Sequence, residues 1–134
     1  MSSNTKPIGV AYEDQDIVGS DRILSGDELG YAPAAQGAVT QLTSKSTAVT
    51  LNASAGRITM NNAALGATTN VTFTMNNSKI SVNDVVVLSV SENANAGSYN
   101  CWVSGKSAGS VTITLRNISA TPLSEAVIIN FAVI

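Results

Sequence analysis

From residue 39 onward the chain runs in short stretches where apolar residues alternate with Thr, and each stretch is closed by Gly, Asn, Ser or Pro. That period of two is the pattern of a half-buried strand, and the recurrent turn residues leave no segment long enough for a helix of several turns. Val71, Phe73 and Met75 face one way while Thr72 and Thr74 face the other; Val111, Ile113 and Leu115 oppose Thr112, Thr114 and Arg116 in the same manner. The pattern predicts eight strands: 39–42, 48–52, 57–60, 71–75, 85–90, 99–104, 111–116 and 126–134. Eight strands with turns at this spacing predict an all-β fold, an eight-stranded β-sandwich or jelly roll.

The 134 residues suit one domain. Only 12% are charged, and Ser, Thr and Asn supply the polarity instead, which favours strands with hydroxyl-bearing outer faces. A net charge of −2, with seven Lys and Arg scattered singly, offers no basic stripe for nucleic acid. No apolar run approaches the roughly 20 residues of a membrane-spanning helix, so no membrane partner is expected. The first residues lack the apolar core of a secretory signal and Cys101 is the single cysteine, so synthesis in a reducing cytoplasm is expected.

Charge divides the chain. Residues 1–30 hold two basic and six acidic side chains, a net of −4, against +2 for the rest. This acidic region still carries Ile8, Val10 and Tyr12 in alternation, the doublets Ile17-Val18 and Ile23-Leu24, and Leu29, separated by glycines. Segments so interrupted are expected to be extended, and their apolar side chains need a surface to bury against, as in strand addition to a sheet edge. Residues 1–36 are therefore read as an extended docking arm and link, with Ile8, Val10, Tyr12, Ile17, Val18, Ile23 and Leu24 as its contact residues. Folding back onto the chain's own body or a sister subunit, or simple disorder, are the alternatives.

Residues 37–134 form the body. Two of its predicted strands are apolar on both faces, Val85 to Leu88 and Val127 to Ile134. A two-layer sandwich has one core, so the second face predicts a homo-oligomer. Val85, Val87, Trp102, Ile128, Phe131 and Ile134 are the expected interface residues. Trp102 lies opposite Tyr99, Cys101 and Val103 on its strand, and either anchors an interface or packs under a loop. The same alternation puts the Cys101 thiol on the core side.

The chain contains no His, which removes the commonest general base and metal ligand and the Ser-His-acid triad. One Cys without His cannot make a zinc site, and Glu13-Asp14-Gln15-Asp16 lacks the Gly and distal Glu of a calcium loop. Asp84 and Glu125 read as turn hydrogen-bonders, and Gly105-Lys106-Ser107-Ala108-Gly109 as a hairpin loop, since it lacks the phosphate-cradle spacing. No cofactor and no enzymatic activity are expected.

Blocks along the body carry a resemblance: residues 39–52, Gly56-Arg57-Ile58-Thr59-Met60-Asn61-Asn62-Ala63-Ala64-Leu65, Phe73-Thr74-Met75-Asn76-Asn77-Ser78-Lys79-Ile80, Asn83-Asp84-Val85-Val86-Val87, Leu115-Arg116-Asn117-Ile118 and residues 123–134. In that order they resemble a C-terminal module of tailed-bacteriophage structural proteins. The resemblance implies a virion protein, usually a trimeric β-knob, found in capsid decoration or cement proteins, head fibres and tail receptor-binding proteins. Only the 36-residue arm precedes the module, without heptads or a Gly-X-Y stalk. The expectation is thus a homotrimeric cement protein on the capsid surface, made in the host cytoplasm and clamped to the major capsid protein. A fibre knob that binds a host receptor is the alternative.

Overall fold

The computed structural model describes residues 18–134. After a single 3-10 turn at Pro33–Ala35, eight strands follow: β1 (Gln36–Thr40), β2 (Val49–Thr50), β3 (Ala55–Thr59), β4 (Asn70–Asn76), β5 (Val86–Glu92), β6 (Tyr99–Ser107), β7 (Ser110–Asn117) and β8 (Ile128–Val133). Each overlaps one of the eight predicted stretches, in the same order, although β1 begins three residues earlier than expected, in the predicted link. The second shrinks to two residues because Ala53 N–H turns back to the Leu51 carbonyl at 3.1 Å, although Leu51 still donates to the Asn76 carbonyl.

The strands form two four-stranded sheets, ordered β1-β3-β8-β5 and β2-β4-β7-β6. Both central pairings are antiparallel, but β1 pairs with β3 and β2 with β4 in parallel. A jelly roll is antiparallel throughout. Of the two predicted alternatives, the chain therefore adopts the β-sandwich with mixed sheets. The parallel pairs arise because β1 and β2 lie in different sheets, so each meets its in-sheet neighbour only after the chain has crossed the sandwich.

Alternation builds the core. Phe73 and Met75 of β4 and Val111, Ile113 and Leu115 of β7 meet Ile58 of β3 and Ile129, Phe131 and Val133 of β8, all buried. The Thr residues between them point outward, where Thr72 Oγ1 and Thr114 Oγ1 lie 2.9 Å apart and Thr114 donates to Ser104 Oγ at 2.8 Å. One flank is closed by a close backbone approach. Gly37 and Gly56 are paired in register, and a Cβ on Gly56 would stand 2.5 Å from the Gly37 carbonyl oxygen. Leu51 lies in the space that those two side chains would fill.

Three buried amides hold the turns. Gln41 donates to the Lys45 and Thr47 carbonyls, both at 2.9 Å, and accepts from Asn61 N–H. Asn77 donates to the Ala53 carbonyl at 2.7 Å. Asn117, fully buried, donates to the Leu65 and Thr121 carbonyls and accepts from Ser119 N–H and Oγ. The Gly105–Gly109 stretch is the β6–β7 hairpin expected of it, with Gly109 at φ +79° in a two-residue turn.

Candidate functional site

Ile8, Val10, Tyr12 and Ile17 lie outside the described residues. From Val18 onward the arm's apolar side chains stand in solvent: Val18 is 85% and Leu24 76% exposed, and Ile23 and Leu29 are likewise exposed. The arm meets the body at Tyr31, whose hydroxyl donates to the Val133 carbonyl. Leu29, Gly30, Tyr31 and Ile134 line a cleft of about 270 Å³ there. The arm root thus sits against the end of β8.

The six expected interface residues do not share one surface. Val85 and Ile134 exchange backbone hydrogen bonds of 2.7 and 2.8 Å beyond the ends of β5 and β8. With Val87 they make an apolar patch on the outer side of the first sheet, at 60%, 74% and 47% exposure. Ile128, half-buried, is at the other end of β8, opposite Glu92 in the ladder. Trp102, 37% exposed, points away from the core on the second sheet. Its surroundings there are Thr114 directly opposite, with Asn100 and Ser104 on either side along β6. Phe131 is corrected outright: at 4% exposure it belongs to the chain's own core. In β8 the side chains of Ile129, Phe131 and Val133 point inward, so the outer apolar face consists of Ile128 and Ala132, interrupted by Asn130.

The two carboxylates read as turn hydrogen-bonders take that role. Asp84 Oδ2 accepts from Ser81 N–H at 2.7 Å, and the hydrogen bonds with Ser81 hold its pKa below the usual value. Glu125 accepts from Ala94 N–H at 2.5 Å and from the Asn95 side chain at 3.1 Å. Partial burial pushes its pKa up, but the hydrogen bonds outweigh burial and leave it lowered. The buried Tyr99 hydroxyl lies beside this carboxylate, and burial first, then the negative charge, push its pKa well above the ordinary value. Asp84 and Glu125 sit beyond opposite ends of β5, a strand spanning roughly 20 Å. Glu92 is engaged by Arg57 at 2.7 Å. Among the described residues no group of three or more potential metal ligands comes together.

One feature of this end of the molecule was missed in the sequence. Lys45 is buried, and its ammonium donates to the Asn61 carbonyl and, at 2.6 Å, to the Glu125 carbonyl. Desolvation lowers its pKa, partly offset by the charge of Glu125. The side chain ties the β1–β2 loop to the loops that follow β3 and β7. In the sequence it is a lone Lys amid Ser and Thr, which reads as a solvated turn. Cys101 is half-buried on the core side, and burial pushes its thiol pKa up.

A cleft of about 630 Å³ is lined by Ser91, Glu92, Asn93, Ala94, Ala96, Ala126 and Ile128. It is an open trough of small side chains and contains no aromatic platform. Comparisons of the chain with protein-family models, with characterised proteins and with solved structures find no match. Two surfaces are exposed for contact, the apolar arm from Val18 onward and the outer faces of the sandwich.

Proposed function

We propose that the protein is a tailed-bacteriophage virion component, a homotrimeric cement or decoration protein on the capsid surface. In this reading the β-sandwich trimerises and the arm clamps onto the major capsid protein. The observation that carries it is the exposure of Val18, Ile23, Leu24 and Leu29: the body leaves them uncovered, although Tyr31 ties the arm's root to β8. Apolar side chains at that density on an extended segment gain by burial, at about 25 cal/mol per Å² removed from water, only when another surface meets them. Three arms on one trimer add multivalency to a contact that is weak for each arm alone. The resemblance of the body to phage structural modules supports the same reading.

Deletion of residues 1–30 tests it. The truncated protein is expected to keep its fold and oligomeric state but to lose co-sedimentation with capsids. Undiminished capsid binding by the truncation would overturn the clamp. Trp102 favours a second reading, a head- or tail-fibre knob that binds a host receptor: an exposed indole among Asn, Ser and Thr side chains can stack on a sugar ring.

A further inference from the structure

The sandwich is open along one side. β5 ends one sheet and β6 ends the other, and the two edge strands approach each other on the same flank. Most side chains that point inward from the central strands are buried, Val71 on β4 being partly exposed, whereas on these two strands only Tyr99 of β6 is buried. Val86, Leu88 and Val90 on β5, and Cys101 and Val103 on β6, remain half exposed although they pack against the core. The outward-facing Val87 and Trp102 border the same seam.

Edge strands normally carry a protective device such as Lys, Pro, a strong bulge or very short length. On the opposite flank β2 is only two residues long, and Leu51 fills the gap over Gly37. β5 and β6 have seven and nine residues, contain no proline, and carry one charge each, Glu92 at the end of β5 and Lys106 near the end of β6. Beyond Lys106, which donates to the Asp84 carbonyl, their device is a single register shift in each, at Val90/Glu92 and Val103/Gly105.

We infer that the β5–β6 seam is the contact surface between copies of this chain, an inference that rests on the oligomeric reading above. Copies that converge on a three-fold axis set like charges against each other, and a strip whose two charges stand at its ends lessens that cost. The size also fits. A nine-residue strand is roughly 30 Å long, and two sheets about 10 Å apart with their side chains give a flank on the order of 600 Å² per copy. Three such flanks meeting about one axis bury on the order of 1,800 Å² in all, above the roughly 1,200 Å² at which stable interfaces begin. The partner completes the core over Val86, Leu88, Val90, Cys101 and Val103 and pairs with backbone edges that the described residues leave open.

The test is Val87→Lys in the full chain, followed by sedimentation equilibrium and circular dichroism, with Thr40→Lys on the opposite edge strand as control. Lysine at 87 is expected to weaken assembly at least tenfold or produce monomers with an unchanged β spectrum, whereas Thr40→Lys leaves assembly intact. Should Val87→Lys lose the native spectrum, Ser89→Lys on the same exposed edge carries the test with the same expectation. A native-like seam variant that stays fully assembled overturns the seam while leaving the oligomeric reading in place. A monomeric wild-type chain overturns both.

Discussion

Asn117 has no exposed surface and satisfies four partners at the end of β7, two carbonyls and the N–H and hydroxyl of Ser119. Replacing it with Ala strands polar groups away from water, each costing about 1–3 kcal/mol. Asn117→Ala is therefore expected to destabilise the body by on the order of 2–3 kcal/mol in urea unfolding. Glu125 carries a pH dependence. Its folded carboxyl releases its proton below the ordinary 4.5, so in the window just below 4.5 the unfolded chain binds more protons. The contribution is present above 4.5 and is lost as pH falls through the folded value. Melting curves between pH 7 and 3 should show a steeper acid loss for the wild type than for Glu125→Gln. At this scale the sequence was partly legible. The turn roles of Asp84 and Glu125 followed from their neighbours, but the burial of Lys45 did not, because it depends on two loops more than a dozen residues away closing over one side chain.

Strands were the most legible level, since a period of two in Val, Ile, Phe and Thr reports the two faces of a pleat directly. The outward position of Trp102 followed from that period, as did the inward placement of Tyr99 and Val103. Phe131 shows where the reading went astray. In a strand apolar on both sides, alternation cannot tell core from surface, and only the register of β8 against β3 and β5, with Phe131 opposite Gly56 and Leu88, fixes the phase. The parallel pairing of β1 with β3 was equally hidden. It is a property of how the chain crosses between sheets, and the Gly37–Gly56 approach that permits it spans nineteen positions of sequence.

For the whole molecule, a well-packed body is joined to an arm whose visible apolar residues it does not cover. Sequence composition separated the two regions by charge, and the structure adds the contact between them at Tyr31 and the partly covered flank between β5 and β6. In the proposed reading the flank serves contact between copies and the arm serves attachment, the two tasks of a trimeric lattice component. Electron cryo-microscopy of the assembled phage particle tests that claim most directly. The account predicts three-fold knobs on the capsid lattice, each with extended density running from the Tyr31 end of the sandwich onto the major capsid protein. Density for this chain at the tail tip, with no copies on the head, would contradict it.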